Sequence, residues 1–368
     1  MSGSDRRLMM EKTEIIDSAA ASIRTGEELD TERLDQFLRD TIPGLEGELI
    51  LKQFPAGHSN LTYMIKYGEG EFVLRRPPFG RKARSAHDMG REYRVLTALK
   101  PVFPYCPQTY AYTEDETIIG CPFYIMERIK GLIIRREPPP GVTYTPDQAR
   151  LLLENLADVH MALHAVDYKA VGLEDFGNPT GYVKRQVDGW IDRYRQAKTP
   201  DAPDVEDIMD WLVERMPPDS GRASVIHNDF RLDNAVVDAN DPLKVIAVLD
   251  WEMATLGDPL MDIGNSLTFR IQADDPEEMQ LTDPLPPGLQ FTQSRKEMVD
   301  YYMKKSNFSF GDINYFYCFG LFRLAAIIQQ IYYRYYHGQT KDERFAPMIT
   351  AVELLFKKAA RAIDSPEF

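Results

Sequence analysis

The sequence predicts an α+β fold in which a small antiparallel sheet carrying one helix precedes a larger, mainly helical part. Two observations predict it. Apolar and β-branched residues alternate from Glu48 to Leu74, whereas after Gly131 they recur at helical spacing over long stretches. A third, Pro138-Pro139-Pro140, reads as a rigid linker between these two regimes. At 368 residues, the chain has room for one large or two modest domains. With 43% hydrophobic and 27% charged residues, the composition excludes wholesale disorder.

The elements follow in order. The first ~28 residues are polar and mixed in charge, as expected of a loosely held end. Leu29 to Leu38 reads as a helix capped by Asp30 or Thr31, with Leu34, Phe37 and Leu38 on one face and Pro43-Gly44 as the stop. Leu49 to Leu51, Leu61 to Ile65 and Phe72 to Leu74 read as strands of a meander. Pro55-Ala56-Gly57 and Gly68-Glu69-Gly70 are its turns. Ala86 to Leu99 is helical, with Tyr93, Leu96 and Leu99 in phase, and apolar runs follow at Gln108 to Tyr112 and Phe123 to Ile129. Later helices are predicted over Asp147 to Ala165, Asn178 to Arg195, Tyr315 to Tyr336 and Ala346 to Ile363. Between them, Asn234 to Val237 and Val245 to Leu249 are short strand-like runs. Residues 198–220 and 271–290, each with a net charge of −5, read as solvated surface insertions.

Charge and cysteine content narrow the function classes. Lys and Arg number 43 against 57 Asp and Glu, a formal charge of −14. This argues against a dedicated nucleic-acid binder and against an anchor on anionic membranes. Cys106, Cys121 and Cys318 are far apart and form no CxxC pair, so neither a disulfide framework nor a zinc cage is indicated. There is no apolar secretory segment, and Phe316 to Ile331 is too short and polar to span a bilayer. A soluble, cytoplasmic protein is expected.

The strongest chemical signal is His227-Asn228-Asp229-Phe230-Arg231-Leu232-Asp233-Asn234, followed by a β-run ending at Asp250-Trp251-Glu252. Phosphoryl transfer needs an Asp to orient the acceptor hydroxyl and take its proton. It also needs an Asn five residues on and a second Asp to hold magnesium against the phosphates. A surface loop with Asx turns would give a similar pattern. Other features arrive in the order that the chemistry requires. Phe54 to Asn60 lies between two strands, where backbone N–H groups can cover phosphates. Arg75 or Arg76 supplies a cation on a strand, Glu92 lies on a helix where it can pair with that cation, and Tyr124 to Ile129 can present backbone groups to an adenine.

On these residues the chain resembles the aminoglycoside phosphotransferase and choline-kinase-like family, bilobal relatives of protein kinases that phosphorylate small molecules. The resemblance extends over about residues 29 to 363. It implies a protein-kinase-like fold with residues 29–130 as a nucleotide-binding lobe, residues 131–368 as a catalytic lobe and residues 1–28 as an extension. It further implies Asp229 as the catalytic residue, and Asn234 and Asp250 as magnesium ligands. Gly57, His58, Ser59 and Asn60 would form the phosphate-covering loop, with Arg75 and Glu92 as the cation and its orienter, and Met126, Glu127 and Ile129 at the adenine. ATP and Mg²⁺ are the implied cofactors. In this family the strand cation is commonly Lys; Arg75 keeps the charge and can bind phosphate bidentately. Arg75 is preferred to Arg76 because it shares a strand face with Val73.

A second tier of motifs resembles the kinase-like domain found beside or fused to acyl-CoA dehydrogenases, associated with phosphorylation of the 4-hydroxyl of hydroxyacyl-CoA thioesters. These are Ser59 to Tyr63, Val73 to Pro78, Ala86 to Asp88 with Arg91 to Leu96, Gly257 to Leu260, and Phe322-Arg323-Leu324-Ala325 leading into Tyr332 to Tyr335. The implied partner is a small molecule with a hydroxyl group, and the branch suggests a functional link to an acyl-CoA dehydrogenase, although the kinase-like domain is expected to stand alone here. Residues 71–100, with eight basic residues against three acids, suit ATP and the phosphates of coenzyme A, or form a solvated flank. Two alternatives stay open: an aminoglycoside or amino-alcohol acceptor served by the acidic stretches, and a nucleotide-binding scaffold suggested by Arg in place of Lys. His160 and His164 share a helix face but are assigned to packing, His227 and Trp251 to anchoring the loop, and the Tyr332 to Tyr336 stripe to the core. Asp258 and Asp262 are expected to brace the loop after Asp250.

Overall fold

The computed structural model of the chain describes residues 20–54, 60–79, 88–137, 139, 141–218, 220–280, 285–306 and 311–368. Its first helix, α1 (Thr31–Thr41), starts where the Asp30 side chain accepts the Arg33 N–H, and it buries Leu34 and Leu38. Strands β1 (Ile50–Gln53), β2 (Leu61–Tyr67) and β3 (Gly70–Arg76) then run antiparallel, in the meander that the alternating pattern predicts. The turn residues 55–57 and the loop residues Gly57, His58 and Ser59 lie outside the described residues. Helix α2 (Met89–Leu99) is capped by Asp88, which accepts the Arg91 N–H; Ala86 and His87 are also outside the described residues.

After β4 (Thr109–Thr113), the one-turn helix α3 (Glu116–Ile119) leads into β5 (Phe123–Glu127). Strand β5 inserts between β3 and β4, giving the order β1-β2-β3-β5-β4 with every neighbour antiparallel. Strand alternation divides the sheet's side chains between two cores. Tyr63, Ile65, Leu74 and Ile125 pack with α1. Val73, Tyr124 and Met126 face α2 and continue into the helical part through Leu132, Leu152, Phe230 and Trp251. Leu132 fixes the connection by exchanging backbone hydrogen bonds of 2.8 Å with Val237.

The helical part begins with α4 (Pro146–His164), which Thr145 and Gln148 cap reciprocally. Helix α5 (Tyr182–Ala197) starts later than its apolar pattern suggests. Asn178 accepts the Thr180 N–H and Gly181 is left-handed, so turn chemistry occupies the intervening residues. Helix α6 (Glu206–Glu214) corrects the reading of residues 198–220 as a surface insertion. It buries Ile208, Met209 and Leu212 beneath an acidic outer face.

Four short strands follow: β6 (Ser224–Ile226), β7 (Ala235–Val237), β8 (Val245–Val248) and β9 (Thr255–Gly257). They pair as β6–β9 and β7–β8, the latter closed by the widened Asp238 to Lys244 turn. The chain finishes with α7 (Pro259–Leu267), α8 (Glu277–Gln280), α9 (Arg295–Ser306), α10 (Ile313–Tyr336) and α11 (Met348–Asp364). Helices α7 and α10 approach so closely that a Cβ on Gly320 would lie 2.6 Å from the Gly264 carbonyl oxygen.

The described residues of the second acidic stretch, 271–290, are likewise not simply solvated. Buried Asp275 receives Arg295 at 2.8 Å and Lys358 at 2.7 Å. The tyrosine stripe on α10 belongs only partly to the core, which corrects its assignment: Tyr332 is buried and donates to Asp201, Tyr335 is half-buried and donates to Glu343, and Tyr336 is 45% exposed, because consecutive helical residues point to different sides. Among the described residues no helix is long and apolar enough to cross a membrane.

Candidate active site

Strand β6 delivers the loop His227-Asn228-Asp229 from a fully buried ladder, and the loop turns at Asn228, whose φ is +64°. A left-handed backbone is tolerable for asparagine when its side chain is anchored. The Asn228 side chain donates to the Met253 carbonyl at 3.0 Å and accepts from Asn265 at 3.2 Å. The loop hangs from Asp262 on α7. Its carboxylate accepts the His227 N–H at 2.8 Å and the Asn228 N–H at 2.7 Å. Asp262 thus braces the loop that carries Asp229, not the one after Asp250, while Asp258 caps α7.

The His160 and His164 rings lie 3.0 and 3.1 Å from the same Asp262 oxygen. Burial opposes ionisation there, yet the two rings and their hydrogen bonds hold the Asp262 carboxyl well below the usual carboxylate range. These three side chains are within metal-ligand reach of one another. Asp262 Oδ2, however, is already an acceptor for His227, and His164 Nδ1 meets the Tyr302 hydroxyl at 2.6 Å. That is a hydrogen-bonded packing cluster, in line with the sequence reading. His227 is a loop anchor too, with Nε2 3.0 Å from the Leu249 carbonyl and its ring against Trp251.

Asp229 is pinned from its own loop. A single 3₁₀ turn, Leu232–Asn234, brings Asn234 Nδ2 back to donate to Asp229 Oδ2 at 2.7 Å and to the Asp229 carbonyl at 2.9 Å. Arg231 lies 3.4 Å from the other carboxylate oxygen. Burial pushes the Asp229 carboxyl up, against the pull of Arg231, His227 and Asn234. The Leu249 N–H donates to the Asn234 carbonyl at 2.7 Å, so Asp250 enters beside Asn234, again with positive φ, +66°.

The sheet contributes Arg75. Its Nη2 lies 3.0 Å from Asp250 Oδ1 and 3.7 Å from Glu252, and its Nε 3.4 Å from Glu92. Burial disfavours this charge, but Glu92, Asp250 and Glu252 raise the Arg75 pKa well above its ordinary value. Burial raises the pKa of Glu92 in turn, against the attraction of Arg75 and the Tyr124 hydroxyl that donates to it at 2.9 Å. Arg76 points to the opposite face and donates to the Ile119 carbonyl at 3.3 Å, so Arg75 is the strand cation beside Asp250.

Asn60 and the Met126 to Ile129 segment complete the set of expected residues. The Asn60 side chain turns inward, donating to buried Glu92 at 3.1 Å and to partly buried Glu252 at 2.9 Å. The Glu127 N–H donates to the Gln108 carbonyl at 2.7 Å within the sheet edge; Met126 pairs with Val73, and Ile129 follows half-buried. Glu252 was not singled out by the sequence. No spacing rule separates it from an ordinary surface acid; only the fold brings it to Asn60 and Arg75.

The basic segment 71–100 is less open than its composition suggests. Arg75 and Arg76 are engaged as above, Arg91 donates to the Ala254 carbonyl at 3.2 Å, Arg94 to Asp175 and Lys100 to the Cys106 carbonyl at 2.8 Å. Its other three basic residues, at 81, 82 and 84, lie outside the described residues.

The donor set fits a hard divalent cation. Among the described residues nothing donates to Asn234 Oδ1 or Asp250 Oδ2, and both are oxygens of the kind magnesium prefers.

A profile of the phosphotransferase enzyme family matches residues 50–286. Acyl-CoA dehydrogenase family member 11 of Pongo abelii is 31% identical over 89% of this chain and 42% of its own length. Acyl-CoA dehydrogenase family member 10 of Mus musculus is 34% identical over 80% of this chain and 27% of its own. The chain therefore spans less than half the length of these curated relatives. A Ralstonia eutropha JMP134 protein, described as an aminoglycoside phosphotransferase, superposes with a TM-score of 0.76 at 30% identity, covering 91% of this chain and 99% of that one.

Proposed function

The chain belongs to the phosphotransferase enzyme family, and from that premise we propose that it transfers the γ-phosphoryl group of ATP, with magnesium, to the hydroxyl of a hydroxyacyl-coenzyme A thioester or related hydroxy acid. The observation that carries the reading is the meeting of Asp229, Asn234, Asp250 and Arg75 at one point between the sheet and the helical part. The names of the curated relatives support an acyl substrate and a functional link to an acyl-CoA dehydrogenase.

In this reading Asp229 accepts the hydrogen of the acceptor hydroxyl. A bond forms from that oxygen to the γ-phosphorus as the bond from the γ-phosphorus to the β-γ bridging oxygen breaks, and the hydroxyl proton passes to the carboxylate. Asn234 fixes the carboxylate rotamer through its hydrogen bond to Oδ2. Arg75, itself held by Glu92, places a permanent positive charge beside the phosphates. Magnesium, when held by Asn234 and Asp250, would neutralise phosphate charge. Most of the catalytic effect is then positioning and electrostatics.

The reading is tested by ³¹P NMR of wild type and Asp229→Asn with Mg-ATP and 4-hydroxypentanoyl-CoA. A new phosphate-monoester resonance, formed with ADP by wild type and reduced by ~10²–10⁴-fold in the variant, is the expected result. An equal rate in the variant, or ester formation only on amino alcohols, would overturn it.

A further inference from the structure

Arg323, within the Phe322-Arg323-Leu324-Ala325 motif, has no part in the chemistry described so far. It lies on α10 one turn beyond Gly320, which packs against Gly264 of α7, and it is only 7% exposed. No described residue gives its guanidinium a hydrogen bond or an ion pair. It instead lies 5.4 Å from the Trp190 ring on α5, over which Arg193 also lies, at 4.7 Å. Tyr182, at the start of the same α5, reaches towards the catalytic loop, its hydroxyl 3.4 Å from Asn228 Nδ2. Burial lowers the pKa of Arg323, while Tyr182, Asp229 and Asp262 favour its charge.

A buried guanidinium carries five N–H donors and has lost most of its hydration. An aromatic face returns only a fraction of that loss. The nearby acids do not supply the rest. Neither Asp262 nor Asp229 forms a hydrogen bond or ion pair with Arg323: Asp262 is filled by two backbone N–H groups and two imidazoles, and Asp229 faces Asn234 and Arg231. An oxyanion presented in the plane of the guanidinium would supply it.

We propose that Arg323, which shares the Trp190 ring with Arg193, seats an anionic oxygen group of the phosphoryl acceptor, so that the enzyme takes acidic alcohols in preference to neutral or cationic ones. This inference rests on the phosphotransfer reading above and names the charge class of its acceptor. The carboxylate of a free hydroxy acid and a phosphate of coenzyme A share the required chemistry.

Binding of four probes is measured by calorimetry in the presence of Mg-ADP, with wild type, Arg323→Gln and Arg323→Lys. The probes are 4-hydroxypentanoate, 4-hydroxypentanoyl-CoA, the phosphate-free 4-hydroxypentanoyl-pantetheine, and 1,4-pentanediol. At least one anionic probe is expected to bind wild type ~10-fold or more tightly than the diol and the pantetheine thioester, the ratio expected of charge-assisted hydrogen bonds. Arg323→Gln should remove that preference and Arg323→Lys should retain part of it. Tight binding of 4-hydroxypentanoate identifies a carboxylate, and binding confined to the coenzyme A thioester identifies a phosphate. Because the guanidinium is buried without a counter-ion, Arg323→Gln should also melt at least as high as wild type. Equal binding of neutral and anionic probes, failure of all four to bind, or a preference that survives Arg323→Gln would overturn the proposal. The readout needs no turnover, so absence of phosphotransfer would count against the earlier reading alone.

Discussion

Asp229 is pulled two ways. Burial makes its carboxyl harder to ionise, while Arg231, His227 and Asn234 ease ionisation. The net shift is upward, so the carboxylate form fails at a higher pH than it would for an exposed aspartate. On the proposed mechanism the acid limb of kcat/KM therefore lies above the ordinary aspartate range. Arg231→Gln removes the largest of the opposing interactions and should move that limb further up. A pH–rate profile of the variant checks this, and an unmoved limb would show that Arg231 does not tune Asp229. That Asp229, Asn234 and Asp250 come together was legible in the sequence because a loop between two short strands leaves them little room to separate. The choice of Arg75 was legible from strand alternation. Glu252 was not, because only the fold brings it to Asn60 and Arg75, and Arg323 was visible only as part of the Phe322-Arg323-Leu324-Ala325 motif, with no sign of its burial.

At the scale of elements, the catalytic loop is held by two helices, of which the apolar pattern marked α4, through polar groups that the pattern did not reveal. Helix α4 offers His160 and His164, α7 offers Asp262, and the loop backbone hangs between them. Burial lowers the pKa of His160 to about 4, with His164 adding to the effect. The unfolded chain binds a proton at this ring below ~6.5, and the folded chain does not until about 4. Protonation therefore favours unfolding as pH falls through that window. Asp262, whose folded pKa is depressed, loses its contribution in the same direction at lower pH. Urea unfolding should show stability falling by about 3 kcal/mol between pH 7 and pH 4 from His160 alone. A His160→Asn variant should flatten the slope, and an unchanged slope would contradict the assignment. Helix α6 was missed because its apolar residues are few and its acidic face dominates the composition; burial of Ile208, Met209 and Leu212 wins over that charge. The β6–β9 pair was missed because three-residue strands are too short to show a period.

Across the whole molecule, the change from strand to helix periodicity correctly anticipates a small antiparallel sheet followed by a helical part. One core runs from Val73 and Tyr124 through Phe230 to Trp251, so the strand that carries Arg75 and the loops that carry Asp229 and Asp250 are positioned by shared packing. Charge was the weaker guide at this scale. The −14 balance is not concentrated in solvated insertions; part of it is folded inward, as at Asp275 between Arg295 and Lys358. Such pairing depends on helices far apart in sequence, which composition cannot register. The central claim is that this arrangement phosphorylates a hydroxyl on an acyl substrate. Its most direct test is Mg²⁺-dependent ADP release, with Asp229→Asn as control, against 4-hydroxyacyl-CoA thioesters, the free hydroxy acids, and aminoglycosides with amino alcohols. Acceptor-dependent release confined to the first two sets and absent from the variant is the predicted result. Release stimulated only by the cationic alcohols, or by no acceptor at all, would contradict the account.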